Sequence, residues 1–87
     1  MAETLTVAVI SPEKTVFQGT ADMVVAPAWD GEVGVMRGHA PMLVLLGAGD
    51  VRVKTAGAEQ KFNIGGGFMQ VVDDVVTILS EQANESA

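Results

Sequence analysis

Leu5, Val7 and Val9 alternate with Thr4, Thr6 and Ala8. A period of two over that length predicts a strand with one face packed and the other wet. Ser11-Pro12-Glu13 ends it with turn chemistry. A short extended piece over 14–17 follows, closed by Gln18-Gly19. From Thr20 to Pro27 β-branched and apolar residues return, and the alternation puts Ala21, Met23 and Val25 on one face. Pro27 is expected to stop that strand, because proline cannot donate to a central ladder.

Asp30 to Met42 is the densest cluster of special residues, with Gly31, Gly34, Gly38 and Pro41 separated by two or three residues. It reads as a shaped connection carrying one very short strand, Glu32 to Met36, between two turns. The apolar run 42–46, ended by Gly47-Ala48-Gly49, predicts a strand buried on both faces. Asp50 to Lys54 alternates with Val51 and Val53 inward. After a turn at Ala56-Gly57-Ala58, Glu59 to Ile64 returns with Phe62 and Ile64 on one face, which makes a hairpin. Gly65-Gly66-Gly67 breaks the pattern, and 68–72 and 75–79 form a last hairpin around Asp73-Asp74. Roughly nine short strands at spacings of about ten residues, with no helical period, predict a single all-β sandwich or barrel over 1–80. Residues 81–87 are polar and small and are expected to fray.

Composition sharpens this picture. Hydrophobic residues make up 48% of the 87 positions against 18% charged, a globular balance despite the small size. No cysteine is present, so one apolar core must carry the stability. A net charge of −6 argues against nucleic acid and against direct adhesion to anionic lipid. Met1-Ala2-Glu3-Thr4 lacks the basic region of a signal peptide, and the apolar runs are too short to span a bilayer as a helix. Membrane association is therefore expected only through a partner.

Enzymatic chemistry finds little support. Covalent catalysis needs a nucleophile, a base and an orienting group, and the chain has one histidine, His39, and no cysteine. Glu32 with His39 is the one conceivable acid–base couple, and no pocket-forming segment accompanies it. The carboxylate pairs Asp73-Asp74 and Asp30/Glu32 lack histidine or cysteine partners for a metal. The triple glycine is followed by no helix or lysine, so it reads as a bend and not a phosphate loop. No cofactor is expected. The ordinary reading of His39 is a structural histidine whose ring bonds a nearby carbonyl. Trp29, Glu32, Arg37 and His39 nonetheless set an aromatic and mixed charge on one rigid connection, which suits protein contact better than catalysis.

Several spaced motifs resemble the epsilon subunit of bacterial F-type ATP synthases. They are Ser11-Pro12-Glu13-Lys14-Thr15-Val16-Phe17-x-Gly19, Asp30-Gly31-Glu32-Val33-Gly34-Val35, Gly38-His39-Ala40-Pro41, Gly49-x-Val51-Arg52-Val53 and Gly65-Gly66-Gly67-Phe68-x-x-Val71. The resemblance implies an about ten-stranded β-sandwich in the central rotor, at the cytoplasmic face of the bacterial inner membrane. It implies docking on the gamma subunit and on the polar loops of the membrane c-ring. Ring contact in that family falls on the positions matching Glu32 and His39, with Trp29 and Arg37 as further interface candidates. Arg37 stands where the family often has proline. The family's C-terminal two-helix hairpin has no counterpart in these residues, so its inhibitory and nucleotide-binding roles are not expected of them. The alternative is a free-standing sandwich that binds a small ligand in its interior or at the triple-glycine bend.

Overall fold

The computed structural model describes residues 4–86; the start of the chain read against a signal peptide (residues 1–3) and the last residue of the tail lie outside it. Eight strands are present among the described residues, and no helix: β1 (Leu5–Ile10), β2 (Thr15–Ala21), β3 (Met23–Ala28), β4 (Gly31–Met36), β5 (Met42–Thr55), β6 (Ala58–Val72), β7 (Val75–Leu79) and β8 (Ala83–Glu85). They hydrogen-bond in the order β2-β1-β7-β6-β5-β3-β4, with β8 also on β6. All pairings are antiparallel except β1 with β7.

The count falls below the expectation because two breaks are bends. The runs 42–46 and 50–54 are one strand, β5, and 59–64 and 68–72 are one strand, β6. At about 3.3 Å per residue each would exceed 45 Å if straight, yet the longest dimension of the molecule is 33 Å. Both strands therefore fold over at their glycines. Their ladder runs without a slip from Met42↔Val71 to Thr55↔Ala58, so they turn together as one ribbon. Sheet wraps onto sheet, and the inward side chains of the two halves meet. Leu5, Val7 and Val9 of β1 pack there with Val51 and Val53 of β5 and Phe62 and Ile64 of β6. The Phe62 ring lies 5.2 Å from that of Phe17.

Glycine is needed at the bend for close approach. A Cβ on Gly67, whose φ is +144°, would run into the Leu79 carbonyl, and one on Gly49 would sit 3.1 Å from Pro27 Cβ. That second contact explains a departure from expectation. Pro27 does not end β3; it lies in the strand opposite Glu32, where the β3–β5 register shifts between Val25 and Ala28. The shift removes the ladder bond that proline could not make.

Three further expectations are corrected. Asp22 interrupts the run from Thr20 as a bend, its carboxylate accepting from the Ala56 amide at 2.8 Å. The alternation restarts after it, so Val24 and Ala26 are the fully buried residues of β3, and Met23 is only half-buried. A one-residue slip exchanges the faces. The run 42–46 is not buried on both sides, because Leu43 and Leu45 are exposed. Finally, 83–85 do not fray: β8 pairs with β6, Ala83 is buried, and Ser86 N–H donates to the Lys61 carbonyl at 2.8 Å. β8 continues the line of β7 along β6 after a break opposite the triple glycine. The long partner strand supplies its hydrogen bonds, so no alternation of its own is needed.

Candidate partner-binding site

The four candidate contact residues divide between the two ends of β4. Trp29 sits in the two-residue turn that joins β3 to β4 and is 71% exposed, its N–H donating to the Leu45 carbonyl at 3.2 Å. Glu32 lies one residue into β4 at the same end. Arg37 and His39 follow the other end of the strand, after Met36. Four residues of strand put about 13 Å between Glu32 and Met36, so Glu32 and His39 lie towards opposite ends of β4.

At the first end Glu32 is not a lone carboxylate. Arg52 of β5 reaches over the intervening β3, and its Nη2 donates to both Glu32 oxygens, at 3.1 and 3.2 Å. Sequence reading passed over this arginine because the link spans 20 positions and exists only through the order β4-β3-β5.

At the second end the chain is pinned at several points. His39 N–H donates to the Met36 carbonyl, and its ring Nδ1 lies 2.7 Å from the Ala40 carbonyl, which can only accept. Nδ1 is thus the protonated nitrogen in this contact. The Asp74 carboxylate accepts from the Gly38 amide at 2.7 Å. The ordinary structural role foreseen for His39 matches this geometry. Arg37 is exposed in the same loop.

An exposed apolar feature was missed. Across neighbouring strands, Leu45 of β5 pairs with Phe68 of β6, Phe68 with Leu79 of β7, and Leu79 with half-buried Ile10 of β1. Leu45, Phe68 and Leu79 are each about half exposed, and Leu43 nearby is 70% exposed. Leucine and phenylalanine on outward positions of three adjacent strands, with Ile10 of β1 at their margin, form one apolar surface where a solvated sandwich face would carry polar residues. The signal lay in the continuous apolar run 42–46, which is equally consistent with a buried strand and with a strand covered by another protein.

A groove of about 480 Å³ opens beside this row, walled by Ile10, Pro12, Gly67, Phe68 and Leu79 together with Ser11, Ser80 and Glu81. Its two hydroxyls are already engaged: Ser11 Oγ donates to the Lys14 carbonyl and Ser80 Oγ to the Gln82 carbonyl. What remains is mostly hydrocarbon wall, suited to an apolar side chain. Among the described residues no group of three His, Asp or Glu side chains is placed to hold a metal.

Fold and surface together define an all-β domain with an exposed apolar face. Residues 4–86 match the family described as the ATP synthase delta/epsilon chain, beta-sandwich domain. The chain is 51% identical over 78 residues to the ATP synthase epsilon chain of Frankia casuarinae, covering 88% of this chain and 92% of that one. It is 45% identical over 75 residues to the epsilon chain of Rhodopirellula baltica, covering 86% of this chain. With that of Brevibacillus brevis the figures are 46% over 80 residues and 91%. The chain spans 59% and 61% of the lengths of those last two relatives. It belongs to the ATP synthase delta/epsilon family. Among solved structures, a chain of the Euglena gracilis mitochondrial ATP synthase OSCP/F1/c-ring assembly superposes with a TM-score of 0.90 at 24% identity, over 98% of this chain and 55% of that one. A chain of the Tetrahymena thermophila mitochondrial ATP synthase central stalk and c-ring superposes with a TM-score of 0.75 at 16% identity, over 91% and 64%. Those two likenesses bear on the fold.

Proposed function

We propose that this domain is a non-catalytic rotor element of a proton-translocating F-type ATP synthase, docked on the gamma subunit and joining it to the c-ring. The observation that carries the reading is the apolar surface of Leu43, Leu45, Phe68 and Leu79, within a chain that belongs to the epsilon family. Large side chains standing in water on three adjacent strands are costly unless a partner covers them. The stalk subunit is the partner that the family provides. The groove beside Phe68 would receive an anchoring side chain of that subunit.

The second contact is the Trp29–Glu32 end of β4, which is polar and lies away from the His39 loop. It meets the polar loops of the ring, with Glu32 as the contacting carboxylate. His39, fixed to Ala40, shapes the loop that leads into β5 and the apolar surface, and Arg37 lies on that loop. The domain holds ring and stalk in fixed register, and its only chemistry is binding energy. In a bacterial cell this places it peripherally, at the cytoplasmic face of the inner membrane, associated through the complex.

The test is calorimetric titration of the purified chain with the gamma subunit from the same source. Wild type should form a one-to-one complex. Leu45→Asn with Phe68→Asn should leave thermal unfolding within a few degrees and weaken binding by about 30-fold or more. Unchanged affinity in a folded double variant would reject the surface assigned to the stalk.

A further inference from the structure

Glu32 is held by a residue from another part of the chain, and that residue marks where the ring-facing surface continues. Arg52 pairs across the ladder with Val25 of β3, and Val25 in turn pairs with Gly34 of β4. Glu32 stands two positions along β4 from Gly34, on the same face of the strand. The guanidinium therefore crosses β3 diagonally to reach the carboxylate, and one nitrogen, Nη2, donates to both oxygens. Val25 shares this outward face with Arg52 and is nevertheless only 6% exposed. Beside it the Met23 side chain, on the same face of β3, lies over Gly34. The arginine head ends at Glu32.

We infer that Arg52 is a positioning residue for the ring contact: it fixes the Glu32 carboxylate in one orientation and presents it as a charge-compensated pair. The inference rests on the reading that Glu32 meets the ring. A carboxylate on an edge strand samples several rotamers, and each must be given up on binding. Two hydrogen bonds from Arg52 settle the orientation beforehand. The pair then offers a partner the remaining lone pairs of Glu32 and the remaining N–H groups of Arg52, acceptors and donors side by side. That surface fits a loop carrying polar side chains of both kinds, and it fits an anionic surface poorly.

The experiment measures binding of the chain, in complex with its gamma subunit, to purified c-ring, with Glu32→Gln, Arg52→Gln, the double variant and Arg52→Lys. Glu32→Gln and Arg52→Gln should each weaken ring binding by about fivefold, and the double variant should lose no more than either alone. Arg52→Lys should retain most of the affinity, since one nitrogen makes both contacts. Affinity for gamma and the thermal midpoint should stay at wild-type values in all four, which a merely structural arginine would not allow. Losses that multiply in the double variant overturn the inference, and so does wild-type binding by Arg52→Gln alongside a weakened Glu32→Gln. Wild-type binding by Glu32→Gln would instead remove the reading of Glu32 on which the inference rests.

Discussion

The Asp74 carboxylate accepts a 2.7 Å hydrogen bond from the amide of Gly38, 36 positions earlier in the chain. Asp74 also accepts from Thr6 N–H through its main-chain carbonyl, at 2.9 Å. One turn residue therefore ties β1, the β6–β7 hairpin and the Gly38-His39-Ala40-Pro41 loop together. Asp73 and Asp74 both have positive φ, 51° and 63°, as the two-residue turn between Val72 and Val75 requires.

Asp74→Ala should cost about 1–2 kcal/mol, combining the lost hydrogen bond with a left-handed angle that alanine resists. Asp74→Asn keeps an acceptor oxygen and tolerates that angle, so it should cost about 0.5 kcal/mol or less. Urea unfolding of both variants checks the order. Equal stability in the two would mean that the side chain at 74 does not hold the loop.

At the bend, Gly67→Ala should be among the most damaging single changes in the chain. The new Cβ meets the Leu79 main-chain carbonyl, which cannot rotate away as a side chain could. A loss of about 3 kcal/mol or more is expected, a large share of a small domain's stability. Gly57→Ala, at φ +83° with open space around it, should cost only about 1 kcal/mol. Thermal melts that rank the two the other way round would contradict the close approach at the bend.

Phe62 and Phe68 lie on the same strand and should respond in opposite ways. Phe62 is 1% exposed and packs on Phe17, so Phe62→Ala should remove about 3–5 kcal/mol and leave the chain barely folded. Phe68→Ala, on the outer face, should change stability by less than about 1 kcal/mol while weakening the complex with gamma. Unfolding curves set against binding isotherms separate the two roles.

Truncation after Glu81 tests β8. It removes the Ala83 side chain from the core and the ladder bonds to Phe62, Asn63 and Ile64. A drop of about 2 kcal/mol is expected from buried surface and hydrogen bonds together. A melting curve identical to wild type would restore the view of this segment as a frayed tail.

Much of the fold could be read from alternation. Leu5, Val7, Val9, Val51, Val53, Phe62 and Ile64 were placed inward by period two, and all are buried. Where alternation failed, a backbone event had intervened. The Asp22 bend moved the inward face of β3 onto Val24 and Ala26, and the glycines after Leu46 and Ile64 were bends within strands that looked like ends. At the candidate site, sequence pattern singled out Trp29, Glu32, Arg37 and His39 but could not separate Glu32 from His39. It also passed over Arg52, because a contact across three strands leaves no trace in local spacing.

The sequence by itself determined the all-β class, the inward faces of most strands, the absence of thiol chemistry and the family, because these follow from local periodicity, composition and motif order. Tertiary structure alone decided how many strands there are, that β8 joins the sheet, that Arg52 holds Glu32, and that Leu43, Leu45, Phe68 and Leu79 share one open face. Those depend on which strands lie side by side, and strand order is set by long-range pairing. An apolar residue carries no local mark of whether its own core or another protein will cover it.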